Sequence, residues 1–153
     1  MTSSIRPAVT ADAGAVASVV DAAYRGYISR IGKAPGPMLD DYPARIAAGQ
    51  VWVLEAGGVP SGVLVLEESE DGFVLDNIAV TPERHGQGLG RALPMFAEQE
   101  AVRREWREIR LYTHVLMVEN ISLYKRILYV ETGRRTEKGF DRVYMAKFLT
   151  AGL

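Results

Sequence analysis

Three closely spaced glycines give this chain its clearest chemical signal. Gly86 and Gly88 lie between an apolar run that ends at Val80 and an amphipathic run that begins at Leu89, and Gly90 is the second residue of that run. Glycine lets successive main-chain N–H groups point at one place without obstruction by a Cβ atom, and a helix N-terminus adds about half a positive charge. The spacing therefore predicts a phosphate or pyrophosphate site between a strand and a helix.

Two known phosphate-binding motifs do not fit this segment. The dinucleotide fingerprint needs a glycine at the position held by Arg91, and the P-loop needs Gly-Lys-Ser or Gly-Lys-Thr, which the sequence does not contain. Arg84 and Arg91 flank the glycines and can supply full positive charge. A glycine turn without a ligand is the remaining alternative, because such turns also join strands to helices.

The segment from Ile78 to Leu93, IAVTPERHGQGLGRAL, resembles the acetyl-coenzyme A motif of the GNAT N-acetyltransferase superfamily. The predicted order of elements across residues 4–150 is similar as well. The resemblance implies that strand main chain binds the pantetheine arm and that loop amides hold the pyrophosphate. The implied cofactor-binding residues are Ile78, Ala79, Val80, His85, Gly86, Gln87, Gly88, Gly90, Arg91 and Asn120.

Three positions depart from the superfamily pattern. His85 stands where Gln or Arg is usual, so we expect weaker cofactor affinity rather than its loss. Pro94 lies in the helix after the loop, and because an interior proline costs about 3 kcal/mol, that helix should either begin late or kink. Leu128 stands where glycine is usual, so the turn into the next strand should be reshaped.

The resemblance extends to Glu119–Tyr129, where Tyr124 matches a tyrosine that commonly protonates the departing thiolate. A phenol of pKa about 10 can donate to a thiolate of pKa about 8.5. The alternative is that Tyr124 packs on an amphipathic helix. Asn120, one turn earlier on the same face, either bonds the pantetheine arm or caps the helix.

Activation of an acceptor amine requires loss of a proton, since about one primary amine in 2,500 is neutral at pH 7. Asp76 is the candidate base, because in a strand it shares a face with Ile78 and Val80. The alternative is that Asp76 caps a turn or pairs with an arginine. His114, at the end of the next strand, is the second candidate.

By the same resemblance, the first two predicted helices shape an acceptor site with apolar and aromatic walls. The wall residues are Tyr24, Tyr27, Ile31, Pro37, Met38 and Tyr42. Tyr24, Tyr27 and Met38 are the main acceptor-binding candidates, together with Asn77, which faces the other side of its strand from Asp76. As an alternative, the two tyrosines belong to the core. The acceptor is expected to be an amine of a small molecule or peptide.

The implied activity is direct transfer of an acetyl group, with no covalent enzyme intermediate and no metal. The chain has no cysteine and two histidines, which argues against a Cys nucleophile, a thiolate zinc site and a His-rich metal centre. Two rival functions stay open. One is a non-catalytic acyl-coenzyme A-binding or sensor protein, and the other is a generic nucleotide-phosphate protein.

Composition limits the class of protein. A chain of 153 residues, 48% hydrophobic and 24% charged, is typical of a single globular domain, here residues 1–153. Its net charge of −1 argues against a nucleic-acid partner. Without a long apolar run or an N-terminal signal pattern, we expect a soluble cytoplasmic protein with no membrane partner. Val143, Met145 and Phe148 suggest a homodimer through the C-terminal strands.

Periodicity predicts the elements that must position these residues. The predicted helices are 10–31, 40–48, 89–104 and 120–128. The predicted strands are 51–55, 62–67, 73–80, 109–113, 129–134 and 143–149, with turns at Gly57-Gly58, Asp71-Gly72 and Glu137-Lys138-Gly139. This order predicts an α/β (α+β) fold of the GNAT type. Its mixed, mostly antiparallel sheet has six to seven strands, about four flanking helices, and one β-α-β crossover at the cofactor site.

Overall fold

The structure is a computed structural model that describes residues 3–150. Its strands are β1 (Ser3–Pro7), β2 (Val51–Ala56), β3 (Val59–Ser69), β4 (Gly72–Val80), β5 (Glu108–His114), β6 (Val130–Glu137) and β7 (Phe140–Phe148). Its α-helices are α1 (Ala13–Tyr24), α2 (Tyr27–Ile31), α3 (Tyr42–Ala47), α4 (Leu89–Arg103) and α5 (Val118–Arg126). Within residues 3–150, no helix has both the length and the apolar character that crossing a membrane requires.

The seven strands form one mixed sheet in the order β1-β2-β3-β4-β5-β7-β6. The pairs β1–β2, β2–β3, β5–β7 and β6–β7 are antiparallel. Strands β4 and β5 are parallel, with Val74 opposite Arg110 and Leu75 opposite Leu111. Helix α4 connects them, as a parallel join requires. The predicted mixed sheet with one β-α-β crossover is therefore confirmed.

The chain divides into two compact units. The first unit consists of the residues up to 66 together with residues 77–97, and it contains α1, α2, α3 and the glycine segment. The second unit consists of residues 67–76 and the residues from 98 onward, and it contains α5 and β5 to β7. Strands β3 and β4 contribute to both units.

The core of the first unit buries one face of α1 and one face of α4. Val16 and Val20 of α1 are 1% exposed, and Leu93 and Ala97 of α4 are fully buried. Close packing of α4 depends on Gly62 of β3. A Cβ atom at Gly62 would lie 3.1 Å from Leu54 Cβ and 3.2 Å from Leu93 Cδ1, so a larger residue there would require these neighbours to shift by a few tenths of an ångström.

The single helix predicted over residues 10–31 is wrong in its continuity. Thr10–Asp12 forms a 3₁₀ turn, and the α-helical conformation stops at Tyr24 and resumes at Tyr27. Gly26 lies at the break, where glycine costs about 1 kcal/mol relative to alanine in a helix. Helix α4 begins at Leu89 and contains Pro94, so the alternative of a late beginning is also wrong.

The hairpin turn predicted at Gly57-Gly58 is confirmed, whereas the turn predicted over 137–139 is confined to Lys138 and Gly139, because Glu137 is the last residue of β6. The turn between β2 and β3 has φ of +60° at Gly57 and +77° at Gly58. The turn between β6 and β7 has φ of +54° at Lys138 and +80° at Gly139. Two consecutive positive φ angles match the right-handed twist of the flanking strands, which is why glycine is favoured in such turns.

Asp12 carries a pH-dependent contribution to stability. Its oxygens accept from Arg6 Nη1 at 2.8 Å and Nη2 at 3.0 Å, and from the Val9 N–H at 2.7 Å. These bonds, chiefly those from Arg6, lower the pKa of Asp12 from 3.8 to about 2. Because the folded pKa is the lower one, the stabilisation exists above pH 3.8 and is lost as pH falls toward 2.

We expect Asp12→Asn to lower the free energy of unfolding by about 1–2 kcal/mol at neutral pH, after allowance for solvent screening of the half-exposed Arg6. Urea denaturation across a pH series measures this, and the difference from wild type should shrink below about pH 4. Asp21→Asn is the control, because its ion pair with Arg25 lies on the surface of α1. An Asp12 effect that does not change with pH would contradict this explanation.

Candidate active site

The glycine loop, residues 86–90, joins the end of β4 to the start of α4. Pro82–Arg84 first makes a 3₁₀ turn. Gly86 and Gly88 then have φ angles of +82° and +80°, a backbone conformation that residues with a Cβ rarely adopt. No atom lies within 4 Å of the position that a Cβ would occupy at Gly86, Gly88 or Gly90. The local backbone therefore requires glycine at positions 86 and 88, and the space above the loop is open.

The main-chain N–H groups of the glycine loop have no acceptor within residues 3–150. The first main-chain N–H groups after the loop that have an acceptor are those of Arg91 and Ala92. They donate to Gly88 O at 3.3 and 3.1 Å. The unpaired amides lie at the N-terminus of a 15-residue helix. In the described part of the chain the exposed Arg91 side chain has no ion pair. Together these groups have the character of an anion site.

His85 folds back onto β4. Its Nε2 atom lies 3.1 Å from the carbonyl oxygen of Val80. Since a carbonyl only accepts, Nε2 carries the proton in this contact. The Val80 carbonyl retains one lone pair for another donor. The contact with the pantetheine arm that the resemblance implies for Val80 therefore stays a prediction.

Tyr24, Asn77 and Tyr42 form a buried polar network in the first unit. The Tyr24 hydroxyl lies 2.7 Å from Asn77 Oδ1 and 2.8 Å from the Ile78 carbonyl oxygen. Asn77 Nδ2 donates to the Tyr42 hydroxyl at 3.0 Å, and that hydroxyl donates to the Pro37 carbonyl at 2.5 Å. Asn77 is 3% exposed. The structure thus joins two of the acceptor-binding candidates, Tyr24 and Asn77, through their polar atoms.

The other two acceptor-binding candidates lie in the segment between Tyr24 and Tyr42. Tyr27 is half-buried, its ring centroid lies 6.3 Å from that of Tyr24, and the Arg30 guanidinium lies 5.0 Å above its ring. Met38 is half-buried in the 3₁₀ turn Gly36–Leu39. Both side chains remain partly accessible, as binding of an acceptor would require.

Tyr124, in the second unit, combines a buried ring with an accessible hydroxyl. The residue is 7% exposed, and burial raises the pKa of its phenol well above 10. Its hydroxyl has no hydrogen-bond partner among the described residues, and those residues contain no buried side-chain oxygen or nitrogen without a partner. The Tyr124 oxygen therefore reaches the surface. The group is a neutral phenol whose proton is available to an incoming acceptor.

The end of α5 is a Schellman motif that fixes Tyr124. Leu128 N–H donates to Lys125 O at 3.1 Å, and Tyr129 N–H donates to Tyr124 O at 2.9 Å. The rings of Tyr124 and Tyr129 meet edge to face, with centroids 5.6 Å apart. Leu128 occupies the left-handed position with φ of +78°. The turn is thus the one that glycine usually makes, with leucine in its place.

Leu128→Gly is expected to stabilise the protein by about 0.5–1 kcal/mol, because it removes the left-handed strain of a side chain that is 72% exposed. Thermal unfolding should show a rise of about 2–4 °C. Glu105 holds the same position after α4 with φ of +67°, so Glu105→Gly should give a similar gain. A lower melting temperature for both variants would contradict the strain argument.

The candidate bases differ in their surroundings. Asp76 is half-buried, and its Oδ1 accepts from the Tyr112 hydroxyl at 2.8 Å. His114 Nδ1 accepts from the Leu116 N–H at 3.1 Å, so protonation of that nitrogen would cost a hydrogen bond. This disfavours His114 as a base. Asn120 is half-buried, with Nδ2 3.6 Å from Met117 Sδ.

Comparison with protein families identifies the fold family. A family model described as an acetyltransferase (GNAT) domain matches residues 47–131, more than half of the chain. The chain belongs to the GNAT acetyltransferase family. The match includes Asp76, the glycine loop and Tyr124. It does not include Tyr24, whose role therefore depends on the structure alone.

Solved GNAT structures share this fold at low sequence identity. They include the ribosomal-protein-S18-alanine N-acetyltransferase of Escherichia coli, with 22% identity, a TM-score of 0.76, and 99% and 97% of the two chains covered. The PaiA N-acetyltransferase of Thermoplasma acidophilum, in complex with coenzyme A, has 18% identity, a TM-score of 0.80, and 97% and 99% covered. YncA, a putative acetyltransferase of Salmonella typhimurium with acetyl-CoA, has 22% identity, a TM-score of 0.72, and 98% and 95% covered. The search of curated proteins gave no match.

Sequence reasoning missed Tyr112 at the GNAT protein's candidate base. A signal was available, because Tyr112 and Asp76 lie on parallel strands that the crossover makes neighbours. The missing information was the register, which places Val74 opposite Arg110 and so brings the two side chains to one face. Among residues 3–150, no group of three or more His, Asp or Glu side chains is arranged to hold a metal.

Proposed function

We propose that this GNAT protein transfers an acetyl group from acetyl-coenzyme A to an amine of a small molecule or peptide by direct attack. The observation that carries the proposal is the row of unpaired amides in the glycine loop at the start of α4. Acetyl-coenzyme A supplies the acetyl group as a thioester, so transfer forms an amide and releases a thiol. The cytoplasmic location, the homodimer and the single-domain organisation stay predictions.

The glycine loop fits the pyrophosphate of this cosubstrate. Gly86 and Gly88 have positive φ angles, the N–H groups of the loop have no acceptor among residues 3–150, and a Cβ at Gly86, Gly88 or Gly90 would meet open space. Successive main-chain N–H groups in a turn conformation can form an anion-binding concavity. Arg91, in the first turn of α4, adds a full positive charge. Main chain at Ile78 and Val80 would hold the pantetheine arm.

Asp76 is the proposed acceptor of the amine proton, directly or through water. Keeping a primary amine neutral at pH 7 costs about 4.6 kcal/mol when its pKa is near 10.4. A positioned carboxylate removes part of that cost by taking the proton as attack proceeds. The hydrogen bond from Tyr112 fixes the orientation of the Asp76 carboxylate.

Tyr124 is the proposed donor to the departing thiolate. Burial disfavours the phenolate, so the group enters the reaction with its proton in place. The same burial disfavours any thiolate nearby, and therefore increases the tendency of the sulfur to accept the proton. A hydroxyl without a protein partner can make this contact without first breaking another bond.

Coenzyme A should raise the melting temperature of the protein, and ATP should not. At about 100 times its dissociation constant a ligand adds about 2.7 kcal/mol, which corresponds to a rise of about 5–10 °C. Differential scanning fluorimetry measures both ligands, with pantetheine as a control that lacks the pyrophosphate. Equal stabilisation by ATP and coenzyme A would favour a generic nucleotide-phosphate protein.

The acceptor class needs a separate experiment. One fold neighbour is named for acetylating an alanine of ribosomal protein S18, which supports the inclusion of peptide N-termini beside small amines. Thiol release from acetyl-coenzyme A can be followed across a panel of amines, polyamines and short peptides. The background without an acceptor and the rate with heat-denatured protein are the controls.

A further inference from the structure

Asn77 is a polar side chain in an apolar position. It lies on the buried face of β4 between Leu75, which is 2% exposed, and Ala79, which is also 2% exposed. Burying an amide is unfavourable unless its hydrogen bonds are made. Asn77 makes them with Tyr24 and Tyr42, residues 53 and 35 positions away in the chain. Both partners belong to the same compact unit as Asn77.

The direction of every hydrogen bond in this network is determined by main-chain carbonyls at its two ends. Tyr42 has one proton, which it gives to the Pro37 carbonyl, so its oxygen must accept from Asn77. The amide nitrogen of Asn77 therefore faces Tyr42, and its oxygen faces Tyr24. Tyr24 shares its proton between that oxygen and the Ile78 carbonyl. An aspartate at position 77 could not make the bond to Tyr42.

Tyr24 and Tyr42 border residues 25–41, which we call the acceptor segment. Of residues 25–41, Pro35 alone is buried, and neither α2 nor the 3₁₀ turn Gly36–Leu39 buries a side chain. With so little apolar burial, the order of this segment depends strongly on its ends. Tyr24 and Tyr42 are 6% and 4% exposed and meet at the single amide of Asn77.

We propose that Asn77 is a positioning residue that holds both ends of the acceptor segment through Tyr24 and Tyr42. The effect of Asn77 on substrate binding rests on the proposed function, in which Tyr27 and Met38 of the acceptor segment are candidate acceptor-binding residues. Asn77 acts on the acceptor through this segment. Loss of the network should weaken acceptor binding and leave the glycine loop unchanged.

Hydrogen exchange on the full chain tests this proposal without any acceptor. The probes are the amides of Ile28, Gly32 and Met38, which bond within the segment. Tyr42→Phe removes one hydroxyl of the network, and Asn77→Leu removes the amide. We expect these probes to exchange about tenfold faster in both variants, with unchanged exchange at Leu66 and Thr81 in the same unit. Tyr129→Phe is the matched control, since its hydroxyl bonds Glu98 in the other unit.

The outcomes separate this proposal from the proposed function. Unchanged exchange in the segment for Tyr42→Phe overturns the positioning role, and so does faster exchange throughout the unit. Coenzyme A titration of Tyr42→Phe should give a dissociation constant within about threefold of wild type. In steady-state kinetics of Tyr42→Phe, the KM for the amine should rise about tenfold, and the KM for acetyl-coenzyme A should stay unchanged. If the wild-type protein does not bind coenzyme A, the proposed function is refuted. The hydrogen-exchange result would still decide whether Asn77 positions the acceptor segment.

Discussion

Gly88→Val is expected to lower coenzyme A affinity by about 100-fold while the protein stays folded. Two effects act together. Valine cannot adopt the φ of +80° found at Gly88 without strain, so the backbone of the glycine loop, and with it the positions of its amides, should change. In addition, the new side chain enters the open space above the loop, where the pyrophosphate is proposed to bind. Isothermal titration calorimetry with coenzyme A measures the loss.

Gly58→Val is the matched control for this experiment. Gly58 has a φ of +77° and open space around its Cβ position, but it lies in the hairpin between β2 and β3. Its substitution should lower the melting temperature as Gly88→Val does, without affecting coenzyme A binding. Gly90→Ala should be tolerated better than Gly88→Val, because Gly90 lies in α4 and has no positive φ. Unchanged binding by Gly88→Val would refute the glycine loop as the pyrophosphate site.

Tyr124→Phe is expected to lower kcat by about 10²- to 10⁴-fold, the range typical of a lost general acid. The substitution removes a hydroxyl that has no partner among the described residues, so stability should change by less than about 0.5 kcal/mol. The dissociation constant of coenzyme A should stay near the wild-type value, because the proposed pyrophosphate site is the main chain of the glycine loop. Stopped-flow or steady-state thiol release gives kcat, and calorimetry gives the affinity.

Tyr129→Phe provides the comparison for Tyr124→Phe. Tyr129 packs against the same ring and loses a hydroxyl bonded to Glu98, so it tests whether any tyrosine hydroxyl near the end of α5 matters. Its kcat should stay within about threefold of wild type. Equal turnover by Tyr124→Phe and wild type would remove Tyr124 from catalysis. Coenzyme A binding without turnover for any amine would instead favour the sensor alternative.

The local features of this protein were accessible from its sequence because they depend on neighbouring residues. Glycine at positions 86 and 88 anticipates positive φ angles, and apolar spacing anticipates the buried faces of α1 and α4. The turn expected to be reshaped at Leu128 is instead an ordinary Schellman motif, in which leucine takes the left-handed position that glycine usually occupies. In each case the determining interactions lie within a few residues of one another.

The break at Gly26 shows the limit of local pattern. Apolar residues continue at helical spacing from Val16 to Tyr27, so periodicity alone predicts one helix. The chain nevertheless ends α1 at Tyr24, whose hydroxyl is held by the Asn77 side chain and the Ile78 carbonyl. A glycine lowers the free-energy cost of the break, and the residues that bond Tyr24 at the end of α1 are far away in sequence.

By itself, the sequence determined the strand–glycine loop–helix unit and the opposite faces of Asp76 and Asn77 in β4. It also carried the family resemblance. These features depend on backbone sterics and periodicity within short segments. Only the tertiary structure decided that Asn77 joins Tyr24 to Tyr42 and that Tyr112 donates to Asp76. Such contacts depend on strand register and on how helices pack against strands. Neither is encoded in any short window of the chain, since each arises when distant apolar faces are buried together.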